Sequence, residues 1–132
     1  MTNTADEALP PLRDMQRFTR QHVKGDLICR QGERGSTMFV VIDGEAEIVL
    51  QTATGEVPLA VVGKGQSFGE ISLVTNQPRT ASVRASSDTL SLVEIDKARF
   101  VYLVGQQPAF ALTIMARLCS MVSQSHQKMQ AS

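Results

Sequence analysis

Histidine and cysteine are scarce in this chain, and its charge is balanced. His22 and His126 are the only histidines, and Cys29 and Cys119 the only cysteines, in 132 residues. A metal-dependent enzyme on a small β scaffold needs several His and carboxylate ligands converging on one ion. With no His-x-His pair present, that class is set aside and no metal is expected. Two isolated cysteines cannot hold an iron–sulfur cluster. Ninety positions apart, they make a disulfide framework improbable and fit a reducing cytoplasm, as two buried free thiols. No serine or cysteine stands in a nucleophile motif, so hydrolysis finds no support. Thirteen basic residues against thirteen acidic ones give a formal net charge of zero. That lacks the concentrated positive field of a nucleic-acid surface, and no nucleic-acid partner is expected. No apolar run approaches the ~20 residues that span a bilayer, so no membrane insertion is expected. The opening MTNTADEALPPLRD has no basic-then-apolar order of a signal peptide.

What is present is an ordinary globular balance, 42% hydrophobic and 20% charged, at a length suited to one core. A flexible leader is expected over 1–11, closing on Pro10-Pro11, and one domain over 12–132. A short helical turn is expected over 12–16. Strands are expected over 17–23, 27–31 and 38–42, the last a compact β-branched run suited to a buried strand. Asp43-Gly44 predicts a type I' hairpin. Beyond it Ala46, Ile48 and Leu50 alternate with polar neighbours, the period of a half-buried strand. Further strands are expected over 57–62, and over 81–85 paired with 90–95 through Ser86-Ser87-Asp88. Seven or eight short strands at this spacing predict a closed roll or sandwich.

The period then changes. Asp96 is a good N-cap for a helix over 97–104, with Gly105 as its stop. Pro108 suits the first turn of a longer helix to about residue 128. Its apolar residues form two stripes: Phe110, Ile114, Leu118 and Met121 on one side; Leu112, Met115, Cys119 and Val122 on another. Such a helix is covered on both sides or exposes an oily patch. A base, a second copy of the chain or a partner protein could supply the second cover.

Between the strands at 57–62 and 81–85 lies the stretch that carries chemistry. Phe68-Gly69-Glu70-Ile71-Ser72-Leu73 predicts a helical turn whose first amides lack intrahelical acceptors and attract an anion. Gly69 and Ser72 are small enough to let a phosphate approach the backbone. Arg79, six positions after Leu73, offers a planar fork suited to two phosphate oxygens. Glu70 would repel a phosphate and needs a donor such as a sugar hydroxyl. The set asks for one phosphate and one hydroxyl a few ångströms apart on a small molecule, the shape of a cyclic nucleotide.

The run FGEISLVTNQPRTASVRA closely resembles the phosphate-binding cassette of the cyclic nucleotide-binding domain family. The resemblance spans about residues 18–129. It implies a mainly β fold with flanking helices: a β jelly roll with a short phosphate-binding helix and a long C-terminal helix. It implies that Glu70 holds the ribose 2'-hydroxyl, that Arg79 holds the cyclic phosphate, and that Gly69, Ile71, Ser72 and Ala81 complete the cradle. Thr80 stands where family members carry Ala, Ser or Thr, and a Thr there is associated with cGMP, its hydroxyl reaching a syn guanine. Val61, Val83, Met121 and Ser125 are candidate contacts to the base. The ligand expected is cAMP or cGMP, with no other cofactor. The reading is a non-enzymatic receptor module whose C-terminal helix moves on binding and meets a homodimer mate or a partner protein. Its rival is a jelly-roll interaction or dimerisation module that has lost the ligand, against which stand both Glu70 and Arg79. With Ser132 following the long helix, no DNA-recognition helix, kinase or channel pore is expected.

Overall fold

Alternating apolar and polar residues broken by turns give eight short strands in the computed structural model, which describes residues 19–116, 118 and 119. They are β1 (Thr19–Val23), β2 (Leu27–Cys29), β3 (Met38–Asp43), β4 (Ala46–Thr52), β5 (Gly55–Val62), β6 (Ser67–Phe68), β7 (Ser82–Ala85) and β8 (Thr89–Ile95). Helix α1 (Glu70–Thr75) interrupts them and α2 (Lys97–Gln106) follows. A further helix begins at 109 and is described through 116. The strands form two antiparallel four-stranded sheets, β1-β8-β3-β6 and β2-β7-β4-β5. This is the expected jelly roll.

β3 explains how the layers meet. It lies between β8 and β6, so both of its edges are paired, and its alternate residues enter two different cores, which is why MFVVI reads as an unbroken apolar run. Met38 and Val40 join Val93, Ile95, Leu73, Leu103, Phe110 and Ile114 in a core shared with the helices. Phe39 and Val41 join Leu90, Leu92, Ala46, Val62, Phe68 and Val83 in a second core shared with the other sheet's strands.

Three local expectations are corrected. The Asp43-Gly44 turn is no hairpin, because β3 and β4 belong to different sheets. Among the described residues only Asn76 is a non-glycine at positive φ, so Asp43 cannot take the type I' conformation. Instead Glu45 accepts from the amides of Ser86 and Ser87, and its own amide donates to the Ser87 hydroxyl at 2.8 Å. That ties this corner to the β7–β8 corner. β7 and β8 likewise pass from one sheet to the other and do not pair. The alternation of β4 also breaks: Ala46 and Val49 are buried while Ile48 and Leu50 are half-buried. The β4–β5 register shifts between Ile48 and Val49, leaving Leu59 as the extra residue of a bulge. A bulge re-aims the side chains next to it. β5 is an edge strand, which is where Pro58 is tolerated.

Asp96 caps α2 as expected, accepting from the Arg99 amide at 2.8 Å. Gly105 does not stop the helix, which runs on to Gln106 with Gln107 as its cap. In the helix after Pro108, Phe110 and Ile114 are buried while Leu112 and Met115 stay 67% and 58% exposed. Cys29 is buried but Cys119 is exposed, against the expected pair of buried thiols. His22 is half-buried, with Nδ1 3.7 Å from Asp26 Oδ2. The leader, the turn over 12–16, Met121, Val122, Ser125 and His126 lie outside the described residues. No helix among the described residues is long and apolar enough to cross a membrane. No group of three or more His, Cys, Asp or Glu gathers there as a metal site.

Candidate functional site

Gly69 caps the start of α1, and only glycine fits there. Its φ is 86°, and a Cβ would stand 2.9 Å from Arg79 Nη1 and 3.0 Å from the Thr37 carbonyl. The helix's hydrogen-bond ladder opens with the Leu73 amide donating to the Gly69 carbonyl. The amides of Ile71 and Ser72 therefore precede it, unclaimed by the helix itself. Glu70 is only 3% exposed. The Ser67 hydroxyl, presented by β6 three residues earlier, donates to Glu70 Oε1. A buried carboxyl requires such a partner.

Arg79 follows α1 by four residues and is pinned from several directions. Its amide donates to the Glu33 carbonyl, and its carbonyl accepts from the Gly32 amide, both at 2.8 Å. The loop between β2 and β3 therefore grips its backbone. Its Nη1 donates to the Thr37 carbonyl at 2.8 Å and its Nη2 to Thr37 Oγ1 at 3.2 Å. Nη1 also lies 3.4 Å from the Gly69 carbonyl, a long contact joining the two halves of the cassette. The guanidinium carbon sits 5.7 Å from the centroid of the Phe39 ring. Gly35 allows this pose: a Cβ there would fall 2.5 Å from the guanidinium carbon and 2.7 Å from Nη2.

These groups surround a cavity of about 130 Å³. Gly69, Glu70, Ile71, Ser72, Arg79, Thr80 and Ala81 all line it, together with Val83. Val61 does not. It pairs with Glu47, which shares the outer face of the sheet with Arg84. Leu59, displaced by the bulge, lines the cavity in its place, with Ile48, Phe68 and Cys29. Burial pushes the Cys29 thiol up to about 11, Arg79 opposing and Glu94 and Glu33 adding to the rise. Sequence reasoning missed Ser67, Thr37 and Gly35, which hold the charged groups. Only the close-set glycines of QGERGS were a signal for the last.

A larger hollow of about 430 Å³ lies elsewhere, walled by Leu27, Arg30, Gln31, Glu56, Ser82 and Arg84 among others. Its Arg84 already meets Glu47 and grips Glu56 through two bonds of 2.9 Å. Those charges satisfy one another. None of the residues expected from the sequence to contact the ligand is among its lining residues.

Comparison with known proteins agrees with this geometry. The chain is 31% identical over 108 residues to the cAMP-dependent protein kinase type II regulatory subunit of Drosophila melanogaster, covering 74% of this chain and 29% of that one. It is 33% identical over 84 residues to the human cGMP-dependent protein kinase 2, covering 62% of this chain and 11% of that one. The chain thus spans less than a third of either relative. The solved Thermus thermophilus catabolite activator protein superposes with a TM-score of 0.80 at 23% identity, over 97% of this chain and 62% of that one. That likeness speaks for the fold alone. Residues 19–107, which run from β1 to the end of α2 and carry the whole cassette, match the family described as "Cyclic nucleotide-binding domain", and the chain belongs to that family.

Proposed function

We propose that this chain is a receptor module for a cyclic mononucleotide, cAMP or cGMP, with no catalytic activity of its own. The observation that carries the reading is the cavity where Glu70, the amides at the start of α1 and Arg79 meet. The cyclic phosphate takes the amides of Ile71 and Ser72 and the side edge of the Arg79 guanidinium. Charge-assisted bonds of this kind are among the stronger ones a protein offers. The ribose hydroxyl donates to Glu70, whose Oε1 also accepts from Ser67. The base extends past Thr80 toward Leu59 and Val83, and Thr80 favours guanine through its hydroxyl. The relatives, a cAMP-dependent protein kinase regulatory subunit and a cGMP-dependent protein kinase, support both nucleotides as candidates.

Output runs through the helix after Pro108. Its Phe110 and Ile114 are seated on the roll while Leu112 and Met115 are bare, so its outer stripe meets another surface, a second copy or a partner protein in the cytoplasm. Binding shifts the helix between two positions, to the extent that the nucleotide prefers one of them. The domain covers 12–132, preceded by a leader over 1–11.

A thermal-shift series with cAMP, cGMP and a cyclic dinucleotide tests the reading, because a ligand that binds only the folded state raises Tm. The expected result is a rise with a mononucleotide and none with the dinucleotide. No rise with either mononucleotide at millimolar concentration overturns it.

A further inference from the structure

The geometry points to Glu94 and Thr37 as a relay that sets the pose of Arg79, so that Glu94, which need not touch the ligand, helps determine nucleotide affinity. This rests on the receptor reading above. Three distances carry it. Thr37 Oγ1 donates to Glu94 Oε2 at 2.9 Å. The same oxygen accepts from Arg79 Nη2 at 3.2 Å. The Thr37 carbonyl accepts from Arg79 Nη1 at 2.8 Å.

Donor and acceptor roles in this chain have one solution. A carboxylate only accepts and a guanidinium only donates. The single hydroxyl proton of Thr37 must therefore go to Glu94, which leaves its lone pairs for Arg79. With glutamine at 94, whose amide donates as well as accepts, the hydroxyl proton is no longer committed and can be presented to the guanidinium, where it repels. Glu94 also polarises the hydroxyl, making it a better acceptor for the cation. Glu94 stands on β8 in register with Phe39 on β3, and Thr37 immediately precedes β3. The relay is thus fixed by the ladder between two central strands.

The consequence concerns which edge of the fork is offered. Thr37 occupies Nη1 and Nη2 at the guanidinium's end. No hydrogen bond among the described residues engages Nε, so the Nε–H and the second Nη2–H remain together on the side edge. Two parallel donors on one edge suit two oxygens of one phosphate. Gly35 fixes the same pose from the other direction, as the absence of a side chain.

Calorimetric titration with cAMP and with cGMP tests the relay in wild type, Glu94→Gln, Thr37→Val, their double, Thr37→Ser, and Glu94→Gln combined with Arg79→Ala. Each near-isosteric single change is expected to weaken both nucleotides about tenfold. The ligand-free Tm should stay within about 2 °C. Because the two residues act in series, the double should be no weaker than the worse single. Thr37→Ser, which keeps the hydroxyl, should regain most of the affinity lost in Thr37→Val. Once Arg79 is alanine, Glu94→Gln should have no further effect. Unchanged affinities, multiplying losses in the double, an effect that persists without Arg79, or a loss that comes with a lowered ligand-free Tm each overturns the relay. Wild type that binds neither nucleotide overturns both readings; wild type that binds while the variants match it overturns this one alone.

Discussion

Glu70 and Leu59 line the same cavity, and each departs from the usual pattern of burial in its own direction. On Glu70's wall, polar groups are hidden. Of the buried polar side chains, Glu70 and Ser72 line the cavity and Ser67 donates to Glu70. On Leu59's wall an apolar group is bare: Leu59 of β5 lines the cavity and is 42% exposed. Isolated exposed apolar residues are common and buried carboxyls are not. Here the two meet across one small space. A ligand polar at one end and flat and apolar at the other would relieve both departures at once, which is the character of a cyclic nucleotide. The fixed wall is the polar one, because its charges are held by Thr37, Ser67 and the loop at 32–35 before any ligand arrives.

The comparison breaks most completely at Arg79. Replacing it with alanine removes the one guanidinium that the described residues bring to the cavity and leaves the phosphate charge to the backbone amides. The expected loss is about 100-fold in Kd for either nucleotide. A calorimetric Kd within threefold of wild type would show that the polar wall does not grip a phosphate.

Between the walls lies Cys29, whose thiol burial pushes up from 9.0 to about 11. The folded state then keeps this proton through a pH range where the unfolded chain has lost it. Stability is fully present below pH 9 and declines as pH rises through 9 to 11, by on the order of 2 kcal/mol. Urea unfolding at several pH values, wild type against Cys29→Ala, isolates this share from the other groups that titrate there. Parallel stability curves would mean that the thiol is not held in an apolar setting.

Gly35→Ala probes the polar wall by moving a charge without deleting it. The new methyl meets the far end of a flexible side chain, so the fold can yield and Tm should shift by no more than about 2 °C. The guanidinium must swing away, and affinity should fall about tenfold. A normal Kd would mean that the pose set by Gly35 and Thr37 is not the binding pose.

The polar wall was legible in the sequence and the apolar wall only partly. FGEIS and PRTAS present their chemistry in contiguous residues, so position along the chain is position around the cavity. The residues that hold them are far away in sequence: Thr37 is 42 positions from Arg79, and nothing local marks it. The hairpin expected at Asp43-Gly44 failed for a similar reason. Turn chemistry describes two residues, whereas the sheet each strand enters was decided by β8, which Val40 and Val41 meet some fifty positions later. The stripes on the last helix were visible because a 3–4 period is a local property, and Phe110 and Ile114 prove to be the seated side.

The pair Leu59 and Val61 gives the finest test. Strict alternation makes Val57, Leu59 and Val61 equivalent, and a reading from period alone cannot separate them. The bulge does: with Ala60 opposite Ile48 and Pro58 opposite Val49, Leu59 has no partner across the ladder and reaches the cavity, while Val61 shares the outer face with Glu47 and Arg84. Leu59→Ala removes apolar area that a base would cover, worth about 1 kcal/mol when partly buried, or about fivefold in Kd. Val61→Ala should change Kd by less than about twofold, since it strips a side chain that water already reaches. Titrating both variants with the same nucleotide makes each the control for the other. Equal losses, or a larger loss at Val61, would return the apolar wall to simple alternation and remove the bulge from any part in recognition.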